Sequence, residues 1–141
     1  MRFRSSALPV LATVAVVSGC GLVGPTPSEE PAQSGRIVID GNGVDTQSVE
    51  CTQHQWSMQI NAKAKTGSAS VFLELGGDKP VVRTVNIENV NEINGSAGGD
   101  AGKAEATTSG NVYTISGTVV GADGKHPGQT RTMPFQIKAP C

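Results

Sequence analysis

Three cysteines and two histidines hold most of the covalent and metal chemistry open to this chain of 141 residues. If Cys20 is consumed elsewhere, Cys51 and Cys141 remain. In an oxidising compartment such a pair is expected to join, and only one connectivity exists. Closing a ring that runs from residue 51 to residue 141 is worth about 4–5 kcal/mol in the chain-entropy model. The rival is a metal pair, Cys51 and His54 in a Cys-x-x-His spacing, which lacks the second half of a zinc site. His126 stands in "GADGKHPGQ", a polar turn, and is expected to be solvated. Two loop patterns fail on inspection. Asp40-Gly41-Asn42-Gly43-Val44-Asp45 starts like a calcium loop, but Val44 and Cys51 occupy its fifth and twelfth positions, where oxygen ligands are needed. Gly98 to Lys103 is flanked by Ala97 and Ala104, so the first glycine and the hydroxyl of a phosphate loop are both missing. No catalytic residues, metal set or cofactor motif emerges.

Cys20 differs in kind. Arg2 and Arg4 give a positive start, and Leu8 to Val17 is apolar except for Pro9 and Thr13. This is the pattern of a secretory signal peptide. It is far short of the ~20 residues that span a bilayer as a helix. Val17-Ser18-Gly19-Cys20 at its end resembles the bacterial lipobox. That resemblance implies a diacylglycerol thioether, and palmitate-type acyl chains, on Cys20 as the new N-terminus. Several acyl chains hold a membrane far better than one, at about 0.8 kcal/mol per buried CH₂.

The expected organisation is therefore a signal peptide over 1–19, a tether over 20–35 and a β domain over 36–141. Lys and Arg total 11 against 12 Asp and Glu. Loss of Arg2 and Arg4 leaves nine against twelve, a net charge of −3. Nucleic-acid partners, which call for a basic face, are not expected. The tether "GLVGPTPSEEPAQSG" has Pro25, Pro27 and Pro31 among small polar residues, a composition of extended linkers. Thr26, Ser28 and Ser34 are candidates for O-glycosylation; a bare linker is the other reading.

From Arg36 onward the texture changes to period two. "RIVID" (36–40) runs into "DGNG", where Asn-Gly is the favoured hairpin turn. In "SVECTQHQWSMQINAKA" (48–64), Val49, Cys51 and Gln53 share a face, and Trp56, Met58 and Ile60 share the next. The change of phase predicts a bulge or turn near His54. Trp56, the one tryptophan, is expected in the core. "SASVFLEL" aligns Val71, Leu73 and Leu75; "VVRTVNIENV" aligns Val81, Arg83, Val85 and Ile87, with Arg83 the odd member. "KAEATTSG", "NVYTISGTVVGAD" and "TMPFQIKAPC" complete the set, with Pro134 expected at an edge or bulge. Short alternating segments punctuated by Gly, Asn and Asp predict an all-β fold, a small antiparallel sandwich or partly open barrel.

Four stretches, "RIVIDGNGVDTQSVECT" (36–52), "SVFLELGGDKPVVRTVNIENVN" (70–91), "GNVYTISGTVVGAD" (110–123) and "FQIKAPC" (135–141), resemble the mycobacterial 19-kilodalton lipoprotein antigen family in order and spacing. The resemblance implies a lipid-anchored, extracytoplasmic surface protein of the cell envelope. It further implies an acylated N-terminus sensed by the host pattern-recognition receptor Toll-like receptor 2. Adhesion through a glycosylated tether is implied less directly, because the family's threonine runs are absent here.

Three functions compete at this level. One is a non-catalytic, lipid-anchored antigen, with the membrane as partner through Cys20. The second is a carrier of a small apolar ligand such as a glycolipid, with room left by Ala62, Ala64 and Ala69. The third is a cell-wall enzyme, which needs His54 or His126 beside a carboxylate such as Glu50 or Asp123.

Overall fold

The computed structural model describes residues 35–141. Cys20, Thr26, Ser28 and Ser34 lie outside them. Nine strands follow one another with no helix among the described residues: β1 (Arg36–Ile39), β2 (Asn42–His54), β3 (Ser57–Ala64), β4 (Ser68–Glu74), β5 (Val81–Val90), β6 (Ile93–Ala97), β7 (Lys103–Ser109), β8 (Val112–Asp123) and β9 (Thr130–Pro140). The order in space is β6-β5-β4-β3-β2-β1-β9-β8-β7, with β6 also paired to β8. Each neighbouring pair is antiparallel. Of the two expected architectures, the pairing gives the barrel.

Closure depends on how β8 shares its edge. Its first half, Val112–Thr118, pairs with β7; its second half, Val120–Asp123, pairs with β6. β6 also pairs with β5, so the ladder is continuous round that half of the barrel. Gly95 faces Gly121 across the closing pair. A Cβ on Gly121 would fall on the Asn94 carbonyl and the Gly95 Cα, so the strands can close only because that side chain is absent.

Alternation fills the interior. Ile37, Ile60, Val71, Leu73, Val85, Ile87, Ile115, Val119, Met133 and Ile137 are all buried in one cluster. β-Branched residues dominate because they fit a pleated, half-buried surface. Their neighbours along each strand face water.

Three local expectations change, and a fourth, the bulge or turn near His54, is met. The β1–β2 turn uses Asp40-Gly41, with φ of 50° and 82°, rather than Asn42-Gly43. A turn at 42–43 would set Asp40 opposite Asp45. The observed register instead sets Arg36 opposite Asp45, where the guanidinium meets the carboxylate at 2.9 Å. Opposite charges across a pair help and like charges hurt. Second, the phase change near His54 is a turn at Gln55-Trp56, while the irregularity in β2 lies between Thr46 and Ser48. Third, Arg83 is an extra residue: Thr84 pairs with Phe72 and Val82 with Leu73. Such a bulge reverses the faces on either side of it. Val82 therefore packs against the core, and Val81, expected inside, is 47% exposed. Fourth, Pro134 sits in β9, which is paired on both flanks, but one residue beyond the end of its pairing with β1. Its carbonyl accepts from the Asp40 amide at 2.9 Å, and its missing N–H faces no strand there.

The bulge makes a direct prediction. Val82→Ser should cost about 1–2 kcal/mol in denaturant unfolding, through lost apolar burial. Val81→Ser should stay within about 0.5 kcal/mol, as surface changes do. Reversed sensitivities would show that Arg83 is in register.

Candidate functional site

Cys51 and Cys141 are bonded, with their Cα atoms 5.7 Å apart. β1 lies between β2 and β9, and strands flanking a third are ordinarily about 9–10 Å apart. Above the start of β1 that separation has collapsed. Gly35 marks the place: a Cβ there would lie 2.6 Å from the Lys138 carbonyl oxygen and 2.9 Å from Val49 Cγ2. The Gly35 carbonyl accepts from the Thr46 amide at 2.9 Å, and the Cys141 amide donates to the Asn111 carbonyl at 2.7 Å. The last residue is thus fastened covalently to β2 and by a hydrogen bond to the β7–β8 turn. The rival metal pair is ruled out, because Cys51 Sγ is committed to Cys141. His54, three positions on along the same strand, also falls on the opposite face.

Beyond the disulfide, β2 and β3 rise to the Gln55-Trp56 turn. Gln55 has φ of 52°, and the Trp56 carbonyl accepts from the Leu75 amide at 2.7 Å, which braces the turn against the end of β4. Trp56 is 72% exposed, so the expected core tryptophan is a surface residue. A turn position has no inward face, whatever the side chain. His54, Gln55, Trp56, Ser57, Glu74 and Gly76 line an open cleft of about 450 Å³. Arg83 donates to Glu74 beside it, and that hydrogen bond, more than the charge itself, holds the exposed Glu74 carboxyl below its ordinary range.

At the opposite end Asp123 is buried under the β8–β9 loop. Its carboxylate accepts from the Lys125 amide at 2.9 Å and meets His126 Nδ1 at 3.4 Å and Arg131 at 3.7 Å; Arg131 also reaches Asp40 at 3.3 Å. The Lys125 amide is the main cause that holds the Asp123 carboxyl below its ordinary 3.8; burial opposes it, and His126 and the charge of Lys125 assist. His126 is exposed, as its polar turn led one to expect, and is also paired with Asp123. The arrangement ties a loop and the β1–β2 turn to the barrel. Its hydrogen-bond partners are the Lys125 amide, His126, Arg131 and Asp40, and no hydroxyl or thiol nucleophile is among them.

Other sequence candidates are dispersed. Gly98 to Lys103 is the crossover between β6 and β7, closed by reciprocal bonds between Gly98 and Ala101. Asp40 to Cys51 is a hairpin rather than a loop. Glu50 lies on β2 at the opposite end from His126 and opposite Asn61. Ala62 and Ala69 are packed inside the core cluster, and Ala64 lines an open cleft of about 400 Å³ with Val44 and Asn89. Among the described residues no three His, Cys, Asp or Glu side chains gather as a metal set. The wedge at Gly35 and the Asp123–Arg131–Asp40 link were missed in the sequence. Arg83 in an apolar row was a legible signal of the bulge.

Two outcomes follow from this geometry. Replacing both Cys51 and Cys141 by Ser should cost about 2–5 kcal/mol, read by denaturant unfolding without reductant. Asp123 has a depressed folded pKa, so its contribution is complete above the ordinary carboxylate pKa and is lost as pH falls through the folded value. Melting temperature followed between about pH 5 and pH 2 should fall less steeply in Asp123→Asn than in the natural chain. An unchanged slope would remove Asp123 from the acid response.

The chain is similar to named proteins along most of its length. The family described as Mycobacterium 19 kDa lipoprotein antigen matches residues 28–141. Lipoprotein LpqH of Mycobacterium avium is 34% identical over 110 residues, 75% of this chain and 67% of that one. LpqH of Mycobacterium tuberculosis is 34% identical over 114 residues, 78% of this chain and 70% of its own. A protein of the same organism named LppE is 29% identical over 132 residues, covering 93% and 91%. With the matched region taking in all nine strands and both paired cysteines, this chain belongs to the Mycobacterium 19 kDa lipoprotein antigen family.

Proposed function

We propose that this chain is a non-catalytic lipoprotein of the mycobacterial envelope, anchored on the extracytoplasmic face of the cell membrane by acyl chains on Cys20. The observation that carries the reading is Val17-Ser18-Gly19-Cys20, set at the end of a positive-then-apolar leader in a member of a lipoprotein antigen family. Residues 1–19 act as the signal peptide, 20–35 as the tether and 36–141 as the exported β domain. The Cys51–Cys141 bond supports export, since structural disulfides persist in oxidising compartments. In this role the barrel is a durable surface body and the lipid is the active group. The acylated N-terminus is the part offered to Toll-like receptor 2, and Thr26, Ser28 and Ser34 are the tether's glycosylation candidates.

Intact mass of the native protein tests the anchor. Acyl mass should be present on the natural chain and absent from Cys20→Ala, and both should gain two hydrogens on reduction. Reporter cells bearing Toll-like receptor 2 should respond to the first and lose the response to the second. An unacylated natural chain would make this a secreted domain and remove the receptor reading.

A further inference from the structure

The three large apolar side chains exposed among the described residues are Trp56 at 72%, Val81 at 47% and Phe72 at 39%. They lie together. Ser57, next to Trp56, pairs with Glu74, and Glu74 pairs with Val81; one row along, Gln59 pairs with Phe72 and Phe72 with Thr84. Phe72 and Val81 thus occupy the outer surface of β4 and β5, at the end of the barrel where the Trp56 turn leads into β3. Trp56 is not loosely held, because its carbonyl is bonded to the Leu75 amide. The charges around the patch cancel: Glu74 with Arg83, and Asp78 beside Lys79 in the next loop.

We infer that this end of the barrel is a second membrane contact, seated in the headgroup layer of the bilayer that holds Cys20. The inference rests on the lipid anchor proposed above. β2 runs toward the Trp56 turn and β1 is antiparallel to it, so the chain enters the barrel at Gly35 heading away from the Trp56 end. The membrane-bound cysteine is fifteen residues upstream of that entry. Such a segment reaches at most about 50 Å fully extended. Tethering at this range gives a surface an effective concentration on the order of millimolar. A weak patch then suffices. Tryptophan favours the interfacial layer, where an apolar ring and a polar N–H are both satisfied. A neutral flank raises no charge barrier to an anionic leaflet.

Trp56 is the one tryptophan of the chain, so its emission reports this contact directly. The acylated full chain would be placed in vesicles of phosphatidylglycerol and phosphatidylethanolamine, with and without bromine high on the acyl chains. Flotation with the vesicles establishes the anchor separately. The expected result is a blue-shifted Trp56 emission, quenched by the brominated lipid. In a Phe72→Ser, Val81→Ser double variant that keeps Trp56, quenching should fall several-fold while flotation is unchanged. A chain that floats but keeps water-like emission, open to iodide and unaffected by bromine, overturns the contact and leaves the anchor intact. A blue shift without lipid that grows with protein concentration assigns the patch to a second copy and also overturns it. A chain that fails to float overturns the anchor, and this contact with it.

Discussion

β1 has four residues and stands between β2 with thirteen and β9 with eleven. A short strand inserted between two long ones leaves a cleft where it stops. The barrel resolves the mismatch by drawing β2 and β9 together above Gly35, until Cys51 and Cys141 can bond at a Cα separation of 5.7 Å. Several features follow from that single constraint. Residue 35 must be glycine-sized, because it lies between Lys138 and Val49 where the strands converge. Cys141, directly after β9, lies within bonding reach of β2 although it is exposed. β2 continues three residues past the bond, paired with β3, to the Gln55-Trp56 turn.

The same economy appears on the far side, where one strand's edge is shared by two. β6 and β7 lie in series along β8, and the glycine pair Gly95 and Gly121 lets the first of them close the ring. The interior is then Ile, Val, Leu, Met and Ala with Phe135 as its one buried ring. Stability must come from alternation, closure and the covalent bond together, since small residues bury modest area each.

Much of this was legible in the sequence, and the misreadings have physical causes. Period two in "NVYTISGTVVGAD" and "TMPFQIKAPC" located β8 and β9, because one face is buried and the other wet. Cysteine arithmetic found the bond that the structure forms. Trp56 was misplaced because apolarity predicts burial only where the backbone offers an inward face, and a two-residue turn offers none. Val81 was misplaced because one inserted residue at Arg83 reverses a strand's faces. The Asp40-Gly41 turn, rather than Asn42-Gly43, sets Arg36 opposite Asp45, a cross-strand pairing that local turn preference does not contain. Barrel closure through β6 and β8 is a pairing between distant segments, so no local pattern encodes it.

Amide hydrogen exchange on the oxidised and reduced protein addresses the convergence of β2 and β9 most directly. If the bond holds closed a gap that β1 is too short to fill, reduction should raise exchange at Val49 to His54 and at Ala139 to Cys141. Protection along β3, β4 and β5 should persist. Equal loss of protection in every strand, or no change near Cys51 and Cys141, would contradict a local seal and place the bond's effect in the unfolded chain alone.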